Sequence, residues 1–216
     1  RKCVLKLIKG WMLSGIVLGL FFGTPCSSWT LARRGPPGSS WGPLRSRAHI
    51  LGLPNIKNID QLKVDLGNAT MRASAYLLRV GIRLGLPCVL ENPRTSRLFL
   101  APAIDRLKGI SGFHAYTFDQ CQFGSDWRKR TWLWTWHCGN SLPLDCLCQS
   151  KRGICSATGR NHVILSGSAP NSHGLLTSLA QEYPKRLARC FGKYLVDAYC
   201  QLVFGKLNKL LRLGPL

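Results

Sequence analysis

Residues 59–84 place Ile59, Leu62, Leu66, Ala69, Ala73, Leu77, Val80 and Leu84 at steps of three and four, with Asp60 near the start and Gly85-Leu86-Pro87 after the end. That spacing and those boundary residues predict one long helix with a single apolar face. The runs on either side, Gly15–Gly23 and Cys88–Leu90, are short and continuously apolar, the pattern of strands buried on both faces of a parallel sheet. Strand, helix and strand in that order restrict the chain to an α/β layer, where chemistry collects at the carboxyl ends of parallel strands. Ala115–Phe118 and Thr131–Trp136 read as two further strands around the turn Phe123-Gly124-Ser125-Asp126. Trp132, Trp134 and Trp136 alternate along the second of these, which puts them on one face. From Ser178 to Leu213 the spacing is helical again.

Both apolar runs end in residues that can do chemistry. The first opens into Thr24-Pro25-Cys26-Ser27-Ser28-Trp29-Thr30, followed at 33–47 by a Gly-, Pro- and Arg-rich stretch that predicts a basic loop. A thiol facing such a loop is expected to have a lowered pKa and to act as a nucleophile; the plainer alternative for Cys26 is an inert core thiol. The second run delivers Glu91-Asn92-Pro93, with Pro93 expected to stop the strand from continuing into a central ladder. Burial behind an apolar strand is expected to raise the pKa of Glu91 and keep it able to donate a proton, against the alternative of a carboxylate capping a turn or pairing an Arg.

Thirty Lys and Arg face nine Asp and Glu, a formal net charge of +21, while 45% of residues are hydrophobic and 18% charged. The last two values exclude a disordered chain, and the first calls for a polyanionic partner, of which nucleic acid is the common case. Arg33, Arg34, Arg45 and Arg47 in the basic loop are the candidate phosphate contacts. No run reaches the ~18 apolar residues of a membrane span. Residues 11–22 fall short of it, although with Lys2, Lys6 and Lys9 ahead of them they imitate a signal peptide. The ten cysteines lack the paired spacings of a secreted disulfide scaffold, which favours an intracellular chain. Cys146, Cys148, Cys155 and His162 form a candidate zinc ligand set, the alternative being free thiols in an irregular loop.

Taken in order, GTPCSSWT at 23–30, LENP at 90–93 with Ser96 nearby, and FDQCQFGSDWRKRTWLWT at 118–135 resemble the cytosine-C5 DNA methyltransferases, particularly their compact, phage-like branch. The likeness spans residues 13–137 and continues more weakly to Tyr183-Pro184. It implies a partial Rossmann-like sheet of the S-adenosylmethionine-dependent methyltransferase type, acting on DNA in the nucleus or nucleoid. By the resemblance, Cys26 beside Pro25 is the nucleophile that adds to cytosine C6. Glu91 and Asn92 meet the N3 edge of the base, and Arg128 and Arg130 stabilise the site. Three departures accompany it: Trp127 stands where the family has Gln, the Arg pair sits one position early, and Pro93 replaces a common Val. The family's donor-binding loop, rich in Phe and Gly, has no counterpart here, and Arg1 is not a Met. The expectation is therefore a fragment whose donor-binding half lies upstream. Residues 1–137 would be the catalytic half, 138–177 a Cys/His-rich irregular segment and 178–216 helical. The rival expectation is a non-enzymatic basic nucleic-acid-binding protein or an inactive methyltransferase relic.

Overall fold

The computed structural model describes residues 2–33, 35, 42–139, 146–165 and 176–212. Among the described residues the α-helices and β-strands follow in the order α1 (Lys2–Leu13), β1 (Leu20–Gly23), α2 (Asn58–Arg83), β2 (Cys88–Pro93), α3 (Pro102–Asp105), β3 (Phe113–Asp119), β4 (Arg130–Trp136), α4 (Leu176–Leu179) and α5 (Lys185–Arg212), with short 3-10 turns at Arg97–Leu100, Arg106–Gly109 and Gln120–Phe123. The strands form one mixed sheet in the order β1-β2-β4-β3. β1 runs parallel to β2, and β4 runs antiparallel to both β2 and β3. The architecture is thus mixed α/β.

The long helix predicted from periodicity is α2, but its buried face is not the predicted one: Val64, Met71, Ala75, Leu78 and Ile82 enter the core with Leu77, while Ile59, Leu62, Leu66 and Leu84 are exposed. The first strand is shorter than its apolar run: only Leu20–Gly23 pair, because Gly15 takes a left-handed φ of 76° that ends the approach from α1. β2 is longer than expected. It runs through Pro93, which stands opposite Thr131 at the last ladder position, where a missing N–H is tolerated.

Alternation along the strands loads both faces of the sheet. Leu20, Cys88, Leu90, Trp134 and Trp136 join α2 and Met12 of α1 in one core. Val89, Phe118 and Leu133 join Leu187, Phe191, Tyr194 and Ala198 of α5 in the other. The tryptophans of β4 share one face, where Phe99 packs 4.6 Å from Trp134 and 5.2 Å from Trp132 between ring centroids. The carboxyl ends of β1 and β2 are in this way clamped between α2 on one side and α5 on the other.

Candidate active site

Gly23 of β1 stands opposite Glu91 of β2 in parallel register, so the chain leaves both strands at the same end of the sheet. Asn92 ties the two exits together, its side-chain amide donating to the Thr24 carbonyl at 2.6 Å and to the Glu91 carbonyl at 3.0 Å. The Thr24 and Ser74 hydroxyls, 3.0 Å apart, fasten the same exit to α2. A turn follows, in which the Cys26 carbonyl accepts the amides of Trp29 at 2.9 Å and Thr30 at 2.8 Å. Cys26 is held half-buried at the mouth of β1, with Pro25 exposed beside it.

Glu91 is buried, at 5% exposure. Its Oε2 accepts the Tyr183 hydroxyl at 2.7 Å, while Oε1 is buried with no hydrogen-bond partner among the described residues. Burial raises its pKa, against the Tyr183 hydrogen bond and the Lys129 cation, which lower it. The Cys26 thiol moves the same way: burial raises it, the Lys129 cation opposes the rise, and the Glu91 charge adds to it. The lowered thiol pKa expected from a basic surrounding is therefore corrected, since desolvation outweighs the one nearby cation. Tyr183 is pushed upward by its own burial, then by the charge of Glu91 and the hydrogen bond to it, and last by the charge of Cys26. Four groups, Cys26, Glu91, Lys129 and Tyr183, thus share one electrostatic neighbourhood. Of the four, Tyr183 alone lines an open cleft of about 260 Å³, together with Trp127, Glu182, Pro184 and Lys185 among others.

The basic residues proposed from sequence are dispersed. Arg45 is no phosphate ligand on an exposed loop: it is 2% exposed and stacks 3.4 Å over the Trp29 ring. Its guanidinium donates to the Ser28 carbonyl and hydroxyl, the Ile50 and Val64 carbonyls and Asn68 Oδ1. Burial pulls its pKa to about 10, which leaves it charged at neutral pH. Gly67 permits this packing, because a Cβ there would lie 2.9 Å from Arg45 Nη2. Arg33 pairs with Asp60 at 3.1 Å, Arg47 is exposed, and Arg34 lies outside the described residues. Arg128 and Arg130 have an acidic partner within the chain. They turn to the buried Asp119, Arg130 with two bonds of 2.9 Å and Arg128 with one of 3.1 Å, while Lys129 between them donates to the Ala180 carbonyl at 2.6 Å and it is its charge that acts on Cys26 and Glu91.

The candidate metal ligands change by one member. Cys121, Cys148, Cys155 and His162 gather their donor atoms within 4.8 Å of one another, a group able to hold a metal ion. Cys146 is not among them; half-buried, it packs against the second core and its carbonyl accepts the Asp119 amide at 3.0 Å. Cys121 lies in the same stretch as Phe123 and Gly124, but no short Cys spacing linked it to Cys148 from sequence. Lys129 and Tyr183 were equally hidden, the first flanked by two arginines and the second 92 residues from its partner Glu91. No protein-family model, curated protein or solved structure matches the chain.

Proposed function

We propose that this chain carries the thiol-addition chemistry of a cytosine-C5 methyl transfer on DNA, with Cys26 as nucleophile and Glu91 as its acid partner. One observation supports the reading above all. Cys26 and Glu91 stand at the carboxyl ends of adjacent parallel strands, within electrostatic range, and Glu91 Oε1 is buried without a partner among the described residues.

In this reading a cytosine leaves the base stack, at a cost of roughly a few kcal/mol, and enters the site. The Cys26 thiolate forms a bond to C6, the ring electrons move to N3, and N3 takes a proton from neutral Glu91. With Tyr183 donating to Oε2, that proton sits on Oε1, the oxygen without a partner among the described residues. The ring is now enamine-like and C5 is nucleophilic. Capture of an electrophile at C5, loss of the C5 proton to solvent water and expulsion of the Cys26 thiolate restore the aromatic ring, and the N3 proton returns to Glu91. S-adenosylmethionine, where bound, supplies the methyl electrophile.

The described residues do not build a site for that donor. Among the described residues, Asp119 at the end of β3 is taken by Arg128 and Arg130, and Asp60 in the first turn of α2 by Arg33 and Lys63, so neither carboxylate is open to a nucleoside ribose. The step assigned to this chain is therefore addition and its reversal, which is measured without a donor. In deuterium oxide, reversal after C5 has captured a deuteron exchanges the C5 hydrogen of an oligonucleotide cytosine. Exchange is expected with the native chain, lost in Cys26→Ala and reduced by about a hundredfold or more in Glu91→Gln. Exchange that persists in Cys26→Ala defeats the assignment.

A second reading, a basic DNA-binding protein or an inactive relic of the same enzymes, draws on the raised pKa of Cys26 and the net charge of +21. It predicts DNA binding with a steep salt dependence and no exchange at C5. Both readings put the protein with DNA, in a nucleus or nucleoid.

A further inference from the structure

The segment 146–165 has almost no structure of the usual kind to hold it. Its regular pairing consists of two isolated bridges, Lys151 with Ile154 and Ile154 with Asn161. Its only buried side chains are Cys148 and Cys155. Together with Cys121 they form a buried cluster made of cysteines alone, separate from both apolar cores. Thiols acting as small hydrophobes would sit among aliphatic neighbours. These sit among donors instead. Cys148 Sγ receives the Ser156 amide at 3.4 Å and its hydroxyl at 3.5 Å, and Gln122 reaches Cys121 Sγ at 3.7 Å. Such hydrogen bonds to sulfur accompany metal-bound thiolates.

The spacing of the donor atoms is the deciding geometry. Tetrahedral zinc with bonds of about 2.3 Å to sulfur and about 2.0–2.1 Å to nitrogen separates two sulfurs by about 3.8 Å and a sulfur from a nitrogen by about 3.6 Å. Cys148 Sγ lies 3.8 Å from Cys155 Sγ and 3.6 Å from His162 Nε2. The chain between the ligands bends tightly enough to present them, with left-handed φ values of 85° at Gly153 and 69° at Gly159.

We propose that Cys121, Cys148, Cys155 and His162 bind one zinc ion in a tetrahedral site that clips the 146–165 segment to the turn after β3. Binding releases the three thiol protons to solvent and gives the segment the fixed point that its missing apolar core cannot. The clip also reaches the active-site side of the molecule. The Cys148 amide donates to Asp119 at 2.8 Å and the Cys148 carbonyl accepts from Arg128 at 3.2 Å, so the ion fixes the carboxylate that holds Arg128 and Arg130 on either side of Lys129. The zinc site stands independently of the methyl-transfer reading.

The test is metal content and thiol protection in the full chain. Protein prepared with zinc is expected to hold one equivalent by elemental analysis, reduced at least about tenfold in Cys121→Ser and Cys148→Ser and unchanged in Cys146→Ser. Full zinc content in Cys121→Ser, or its loss in Cys146→Ser, overturns the ligand set. A second measurement on the native chain is independent of whether the variants fold. Iodoacetamide should label Cys121, Cys148 and Cys155 at least about tenfold faster after a chelator is added, with the rate at Cys146 unmoved. Chelator-independent labelling of those three, or a Cys148–Cys155 disulfide in freshly purified protein, rejects the site.

Discussion

Burial moves Cys26 and Glu91 in the same direction on the pKa scale, with opposite chemical consequences. It favours the protonated form of Glu91, which a proton donor needs, and it disfavours the thiolate that a nucleophile needs, leaving Lys129 as the cation that offsets the second effect. Alkylation of Cys26 followed against pH is therefore expected to show a midpoint above the ordinary thiol value of about 8.5. Lys129→Ala should raise that midpoint further and Glu91→Gln should lower it. A midpoint below the ordinary value, or one that falls in Lys129→Ala, contradicts the electrostatic account. Arg45 is the other residue whose environment decides its role. With five hydrogen bonds and a ring stack, it is a structural guanidinium that an ammonium cannot replace. Arg45→Lys should lower unfolding stability by about 2–4 kcal/mol in a denaturant titration, and a change within about 0.5 kcal/mol would show that the network carries little.

Among elements, the decisive contacts are those that bring separate segments to the exits of β1 and β2. Asn92→Ala removes the bond to the Thr24 carbonyl inside a buried seam and should cost about 1–3 kcal/mol, with the Cys26 loop opening first in hydrogen exchange. Asp119 joins β3, β4 and the 146–165 segment through Arg130, Arg128 and the Cys148 amide. Its burial works against ionisation, but these hydrogen bonds prevail and hold its pKa below the ordinary carboxylate value. A carboxylate whose folded pKa is depressed adds stability above its unfolded value of about 3.9, and that stability is lost as pH falls through the folded value. Asp119→Asn should accordingly lower stability at neutral pH and flatten its decline in acid; an unchanged acid limb would show that Asp119 is not the titrating group. The elements themselves were legible from sequence to very different degrees. α2 stood out as a helix because apolar residues keep a helical step over many turns, although that step picked out a face that is largely exposed, and β4 stood out because its tryptophans alternate. α1 was missed because Lys2, Lys6 and Lys9 ahead of the apolar residues 11–22 imitate a signal peptide. The end of β2 was misjudged because Pro93 falls at the one ladder position where proline costs nothing.

For the whole molecule, the charge of +21 leads to an expectation that does not depend on catalysis. Affinity for duplex DNA should fall steeply with salt, and replacing the exposed Arg47 by Ala should reduce the logarithmic slope by about one. A slope left unchanged would place Arg47 off the binding face. The candidate site was half legible: Cys26 and Glu91 could be picked out because each directly follows an apolar strand, and parallel pairing of those strands is a local inference. Tyr183, Cys121 and the inward turn of Arg45 depend on how α5, the 146–165 segment and the loop before α2 fold back, which no short-range pattern encodes. The most direct measurement of the central claim is a covalent trap. Duplex DNA carrying a single 2-pyrimidinone, whose C6 is open to thiol addition, is incubated with the full chain and the adduct is mapped by peptide mass spectrometry. The account predicts one adduct, on the peptide containing Cys26, absent in Cys26→Ala; DNA that binds without forming an adduct, or an adduct on another cysteine, contradicts it.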